Sequence, residues 1–387
     1  MKIFQTTSEF AGLEEIWNGL LSRSPANNFF LTWEWLWTWW RLYAEPGDTL
    51  ALFIRELDNS IAGIAPCYIR TTKLFGIIPV RRLFFLGTQQ PGHGDVGSEY
   101  MDLICGRGDE KAFVSEFFKT ISDNDICDEL CFFKMGNDSP TITLFRDEAF
   151  KYDFLIKPPD TFVSPYILLP GTWNDYLKSR SSSMRYKIRN ECRRLHERKN
   201  IVFKKAKTED DLESGFKELI ALNDKRWVSQ GMKGVFSNQK FRDFHRIVMS
   251  LMLKKDRLEL IVLYENNQSR AAIYNILYNG KIYFYQSGID TTAPSPAFGY
   301  LLHSHCIENA IKDGLREYDF LLKGMRDGYK DHFANSQREI ACISFVRSAP
   351  LKRFERTREW MRRGYRLMKS VLSGENMNNP YPIDKLN

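Results

Sequence analysis

The chain has 387 residues, of which 43% are hydrophobic and 27% charged. That is enough for two domains or one large one around a sizeable packed core. A formal net charge of +7 is mild and reads as spread along the chain; it suits an anionic small-molecule ligand without demanding a nucleic acid. Seven cysteines form no framework: Cys127 and Cys131 stand as C-x-x-x-C with no second pair and no neighbouring His. A metal site is therefore not expected, and scattered thiols suit a reducing cytoplasm. The start, Met1-Lys2-Ile3-Phe4-Gln5, enters a strand-like run with no apolar core or cleavage site of a signal peptide. No run of about 18 apolar residues occurs, so no transmembrane segment is expected.

Taken in order, residues 1–43 read as a strand and two helices. The second helix is rich in aromatics, Phe29-Phe30-Leu31-Thr32-Trp33-Glu34-Trp35-Leu36-Trp37-Thr38-Trp39-Trp40. Thr32 can cap it, and Trp33, Trp37 and Trp40 share a face. Aromatics on two faces suit either core packing or the wall of a cleft, and Trp37 is the candidate ligand contact. Runs 50–54 and 61–69 form a hairpin around Asp58-Asn59, and 81–86 is a further strand. A long polar loop, 87–100, holds His93 and Asp95, which are acid/base candidates or simply solvated. Residues 101–104, a helix at 110–122 and a strand at 129–134 complete the first unit. A short helix at 144–149 and an extended run at 154–169, broken by Pro158-Pro159, lead to a boundary near Pro170.

Beyond it comes a helix at 173–177 and then a basic one. There Ile188, Cys192 and Leu195 make an apolar stripe beside Arg185, Lys187, Arg189, Arg193 and Arg194. This is a solvated face or a face toward phosphate or RNA. A strand at 201–205, a helix at 210–227 capped near Thr208, and a helix at 241–253 follow. The stretch 258–330 organises this half. Strands at 258–264, 271–278 and 281–287 are joined by Asn266-Asn267 and Asn279-Gly280, turn pairs that tolerate the left-handed backbone of a tight hairpin. A loop, 288–299, then feeds a helix with Leu302, Cys306 and Ala310 on one face, ended by Gly314, and a buried strand at 318–322. A small-residue loop at a helix start presents unpaired N–H groups and the positive dipole end to a phosphate. It matches neither a P-loop nor G-x-G-x-x-G, and an ordinary strand-to-helix connection has the same pattern. The second half repeats the order of the first, which predicts a duplicated α/β domain. A last strand at 340–347 precedes a basic amphipathic helix at 351–372, with Phe354, Met361, Tyr365 and Met368 on one side. It docks on the body or lies on an anionic membrane surface. The final residues read as a loose tail.

Several of these segments together resemble the GNAT acyltransferases, and within them the tandem-GNAT group of Fem-type aminoacyltransferases and the CelD-like proteins of cellulose and exopolysaccharide clusters. The residues carrying the resemblance are the aromatic helix from Phe29 to Trp39, Glu99-Tyr100-Met101-Asp102-Leu103, Arg185-Tyr186-Lys187-Ile188-Arg189, Asp224-Lys225-Arg226-Trp227 with Gly231, Ser295-Pro296-Ala297-Phe298-Gly299, and Asp319-Phe320-Leu321-Leu322-Lys323-Gly324 with Tyr329-Lys330. It extends to about residue 347. It implies a mixed α/β fold of two GNAT domains, 1–169 and 170–348, followed by the basic helix and tail, 349–387.

The resemblance also implies acyl transfer, of groups other than aminoacyl ones, from acyl-CoA (acetyl-CoA) to an amine. The CoA pyrophosphate would sit on Ser295, Pro296, Ala297, Phe298, Gly299 and Tyr300. Tyr329 is then the candidate acid, Asp319 or Asp224 the base, and Arg226, Trp227 and Lys330 the substrate contacts. Equally, Tyr329 could cap a core and Asp319 could pair with Lys330. The implied acceptor is a small molecule or glycan precursor, such as an amine of a polysaccharide or envelope building block. Fem-type relatives take their acyl group from aminoacyl-tRNA, which the basic helix keeps open. A non-catalytic role in polysaccharide assembly, with the C-terminal helix on a membrane-bound partner, is the alternative outside catalysis. The implied location is cytoplasmic, with peripheral membrane contact through 351–372.

Overall fold

Left-handed backbone at paired turn residues sets the hairpins. Asp58-Asn59 (φ 48° and 61°), Asn266-Asn267 (51° and 63°) and Asn279-Gly280 (48° and 71°) all adopt it. Short polar side chains and glycine tolerate that region, and its twist matches the flanking strands. The computed structural model describes residues 1–89, 95–196, 200–292, 298–324 and 328–373; His93, Ser295, Pro296 and Ala297 lie outside the described residues.

The described strands are β1 (Lys2–Phe4), β2 (Thr49–Leu57), β3 (Ser60–Leu74), β4 (Ile78–Phe85), β5 (Ile104–Cys105), β6 (Glu129–Gly136), β7 (Leu155–Ile156), β8 (Asp160–Leu168), β9 (Ile201–Lys205), β10 (Leu258–Glu265), β11 (Gln268–Tyr278), β12 (Lys281–Ile289), β13 (Glu317–Asp319) and β14 (Ser336–Val346). They form one mixed sheet in the order β1-β2-β3-β4-β6-β14-β8-β13-β12-β11-β10-β9, with β5 beside β3 and β7 beside β14. The fold is mixed α/β, and the second half repeats the element order of the first.

The two halves exchange their closing strands. β8 precedes Pro170, yet it pairs with β13 of the second half (Ile167 opposite Tyr318). β14 closes the second half, yet it pairs with β6 of the first (Phe345 opposite Leu130). β8 and β14 also pair with each other along 160–166 and 336–342. The sheet thus runs unbroken across the boundary expected from the sequence.

Each half holds one short parallel pair. β4 meets β6 over Arg82, Leu83 and Phe84; β12 meets β13 over Lys281, Ile282 and Tyr283. Beyond Tyr283, β12 continues to Ile289 while β13 stops at Asp319, and Leu321 turns left-handed at φ 58°. The strand expected at 318–322 is therefore shorter, and a gap opens between β12 and the chain after β13. At its base the rings of Phe284 and Phe320 lie 6.0 Å apart.

Helices cover the sheet for recognisable reasons. The helix Glu209–Val228 has a capping box between Thr208 and Asp211. The helix Pro140–Lys151 starts with Ser139 as its cap and proline in the first turn, earlier than the 144–149 read from the sequence. The helix Trp33–Tyr43 buries Trp35 and Trp39 completely, and Trp35 meets Phe244 edge-on at 4.7 Å, joining the halves. The C-terminal helix Ala349–Ser373 buries Leu351 against Val80 and Val346. It contains eight Lys/Arg and two Glu. Eight minus two gives six of the chain's seven net positive charges, so the charge is concentrated rather than spread.

Candidate active site

The site is built where the helix Glu209–Val228 is pressed onto the free end of β12. A Cβ at Gly288 would lie 2.4 Å from the backbone nitrogen of Asn223; glycine is what permits the approach. Asn223 secures it, donating from Nδ2 to Ser287 O at 2.8 Å. This contact carries the last turn of the helix, with Asp224, Arg226 and Trp227, to the edge of the gap. The Arg226 guanidinium lies 5.6 Å from the Trp227 ring centre and 5.8 Å from that of Tyr329. One Asp224 carboxylate oxygen, Oδ1, is buried without a hydrogen-bond partner.

The opposite wall is the helix Phe298–Lys312 and the short helix Tyr329–Phe333, which the sequence reading missed. His303 is buried, its ring 5.9 Å from Tyr329, with Nδ1 3.1 Å from Tyr318 Oη. Burial, with Lys330 and Arg226 nearby, pushes its pKa down to about 3, so the imidazole is neutral. Lys330 is buried and donates from Nζ to Leu322 O at 2.7 Å. The start of the helix Phe298–Lys312 has no acidic residue in its first turn. Lys187 of the basic helix Ser182–His196 stands 4.1 Å over the Tyr300 ring, and Tyr300 Oη is 2.9 Å from His332 Nδ1.

The structure therefore gathers Arg226, Tyr329 and Lys330 around His303, on the helix that starts at Phe298, Gly299 and Tyr300; Trp227 follows Arg226 on its helix and packs toward Gly234. Asp319 sits elsewhere: its carboxylate accepts from Tyr100 Oη at 2.7 Å and from Leu321 N at 2.8 Å. Burial raises its pKa, and Arg338 opposes the rise. Asp319 joins the two halves rather than pairing with Lys330. Trp37 stacks on Trp33 at 5.3 Å and meets Phe10 edge-on at 5.2 Å; it belongs to the outer helices of the first half, away from this cluster.

The first half has the equivalent helix start, but its electrostatics are reversed. Asp109 stands just before the helix Glu110–Asp123 without capping it, and Glu110 occupies the first turn. Two carboxylates there disfavour a bound anion. Arg55 is spent on Asp109 at 3.3 Å and Glu116 at 2.9 Å.

Between the halves lies a line of buried polar groups that was not read as functional. Glu99 accepts the Leu322 N–H through both oxygens, at 2.8 and 3.0 Å. Burial raises its pKa to about 8, against the pull of Lys134. Lys330 donates to the carbonyl of the same Leu322, so both backbone polar groups of that residue are held by side chains. A cavity of about 220 Å³ opens alongside, between Asn28, Tyr100, Asp102, Ser139, Lys281 and Arg338. Glu99-Tyr100 stood in a recognisable segment, but nothing in the sequence disclosed that it reaches residues more than 200 positions away. Among the described residues no group of three or more His, Cys, Asp or Glu side chains is placed to hold a metal ion.

Residues 182–331 match the family model of the acetyltransferase (GNAT) domain. Nearly the whole chain is similar in fold to three solved structures. The crystal structure of FemX aligns with a TM-score of 0.61 at 10% identity, over 92% of this chain and 99% of that one. The C-terminal domain of a lysylphosphatidylglycerol synthetase-like protein from Agrobacterium fabrum gives 0.51 at 9% identity, over 91% and 95%. L-PGS from Bacillus licheniformis gives 0.50 at 14% identity, over 89% and 96%. None of the curated proteins searched matches the chain.

Proposed function

We propose, from the match of residues 182–331 to the acetyltransferase (GNAT) domain model, that this chain is an acyl-CoA-dependent N-acyltransferase whose donor site lies in the second half. The observation that carries this reading is the contrast between the two helix starts. The one at Phe298 has no acidic residue in its first turn and has Lys187 over the Tyr300 ring of that turn, with Arg226 facing Tyr329 nearby, while the one at Glu110 carries Asp109 and Glu110. A pyrophosphate is attracted to the former and repelled by the latter.

In the proposed reaction the acceptor amine attacks the thioester carbonyl, a C–N bond forms and the C–S bond breaks. Asp224, in the helix turn at the edge of the gap, takes the proton from the amine. Tyr329, polarised by Arg226, returns a proton to the departing thiolate. The narrow gap at Phe284 and Phe320 supplies orientation. The acceptor is taken to be an amine of a polysaccharide or cell-envelope precursor, on the strength of the family resemblance, and a reducing cytoplasm suits the six described free cysteines.

A thermal-shift titration with acetyl-CoA, longer acyl-CoAs and free CoA tests the donor. A ligand that binds only the native state stabilises it by about 2.7 kcal/mol at 100 times its Kd, so a saturable rise in Tm is expected. A flat response across the series removes acyl-CoA as donor.

One observation favours a second reading, aminoacyl-tRNA as donor. Arg185, Arg189 and Arg193 line a groove of about 470 Å³ with Tyr186, which is 71% exposed. RNA binding that strengthens steeply as salt falls, and that is lost in the double variant Arg189→Glu, Arg193→Glu, is the expected signature; its absence removes this donor. If both donors fail, a non-catalytic role becomes the better account.

A further inference from the structure

Four hairpin turns among the described residues hold both central positions left-handed. Three use Asp-Asn, Asn-Asn and Asn-Gly. The fourth, between β3 and β4, uses Phe75-Gly76, at φ 53° and 76°, closed by Ile77 N donating to Leu74 O at 3.2 Å. A bulky side chain is disfavoured in that region, where Asn, Asp or Gly costs least. Local folding therefore does not account for phenylalanine here. Nor does burial: Phe75 is 70% exposed, Ile77 77% and Ile78 50%. An apolar, strained, solvent-facing tip points to something it touches.

The tip does not stand alone. Phe75 meets Phe354 of the C-terminal helix edge-on, ring centres 5.2 Å apart. The first turns of that helix are anchored: Leu351 is buried, and Lys157 pairs with Glu355 at 3.0 Å. Farther along, Trp360 is 76% exposed and Met361 54%. The sequence continues the apolar spacing through Tyr365, Met368 and Leu372, interleaved with Arg362, Arg363, Arg366 and Lys369. The helix holds six of the chain's seven net positive charges. It is not long and apolar enough to cross a membrane, and neither is any other described helix.

We infer that the β3–β4 tip and the C-terminal helix form one docking surface for an anionic lipid bilayer. The tip inserts Phe75, Ile77 and Ile78 between headgroups, and the helix lies along the interface with its arginines at the phosphates. Charge selects this occupant. A second copy of the chain would bring two helices of the same strong charge together, whereas an anionic bilayer attracts the helix by charge and takes the apolar tip among its headgroups. The inference does not depend on the donor or acceptor of the acyl transfer.

Co-sedimentation of the full chain with vesicles tests it. Vesicles of phosphatidylcholine with about 30% phosphatidylglycerol are expected to capture the protein at 0.1 M NaCl and release it at 0.5 M, with at least tenfold weaker capture on pure phosphatidylcholine. The double variant Phe75→Gly, Ile77→Ser places glycine where the backbone is left-handed, so it is expected to unfold at the parent's temperature while binding anionic vesicles about tenfold less. Failure to bind anionic vesicles overturns the inference. So does a variant that binds as tightly as the parent, and so does a dimer by light scattering that the variant dissolves, which would make the patch a self-interface.

Discussion

Tyr100 donates its phenolic hydrogen to Asp319 Oδ2 at 2.7 Å, across 219 residues of sequence. Ser164 completes the contact, 2.8 Å from Tyr100 Oη and 3.3 Å from Asp319 Oδ1. Tyr100 comes from the first half, Ser164 from β8 and Asp319 from β13, so the triad marks where the halves meet. Removing the hydroxyl leaves a buried carboxyl group short of a donor. Tyr100→Phe is expected to lose about 1.5–3 kcal/mol of stability, read by urea unfolding. A loss below about 0.5 kcal/mol would mean that the triad does not hold the halves together.

Glu99 predicts a pH dependence. Its pKa is raised by burial to about 8 from an ordinary 4.5. Between those values the folded protein holds a proton that the unfolded chain has released. Stability therefore falls as pH rises from about 4.5 to 8, with a slope contribution of up to about 1.4 kcal/mol per pH unit, and levels off above that range. Glu99→Gln keeps an acceptor for Leu322 N and abolishes this contribution. Chemical unfolding of both proteins at pH 5, 6.5 and 8 reads the difference; parallel profiles would show that Glu99 is ionised throughout.

Gly288 is fixed by backbone rather than by a side chain that can move aside. A methyl group there meets Asn223 N at 2.4 Å, so Gly288→Ala must lift the helix Glu209–Val228 from β12. A cost of roughly 2–4 kcal/mol is expected, and with it reduced activity, because Asp224, Arg226 and Trp227 move with the helix. A variant of unchanged Tm would show that the helix shifts freely.

Gly299 offers the opposite case. Among the described residues a Cβ there meets only the end of the Ile289 side chain, at 2.8 Å, so a substitution is accommodated by a rotamer change. Gly299→Glu puts a negative charge in the first turn of the helix Phe298–Lys312. The protein is expected to fold, and its thermal response to acyl-CoA to disappear. Glu110→Gln, at the first half's helix start, is expected to leave that response intact; the reverse pattern would move the donor site to the first half.

The sequence carried the local structure well because local chemistry set it. Asn279-Gly280 announces a hairpin, Thr208 with Asp211 announces a helix start, and Gly314, at φ 70°, ends a helix as glycine should. The repeat of elements was legible for the same reason. What escaped was long-range. Asp319 looked like a base because an acidic residue at a strand end carries no mark of its partner; Tyr100 supplies it from the other half. Trp37 looked like a cleft wall because helical spacing gives a face but not what covers it, and Phe10 and Trp33 do. The helix start at Pro140 was there to be read in Ser139-Pro140. The helix Tyr329–Phe333 spans five residues, too few for a periodic pattern to register.

The exchanged strands bear on how the protein is made. β6 ends at Gly136, and its neighbour β14 begins 200 residues later, at Ser336. At about 5–20 residues per second, a ribosome takes roughly 10 to 40 s to supply it. Through that interval the first half emerges with an open sheet edge, the kind of surface that recruits stray strands. The chain is therefore committed to finishing its earliest domain last, and its yield in a cell should follow the supply of chaperones that shield such an edge until synthesis is complete.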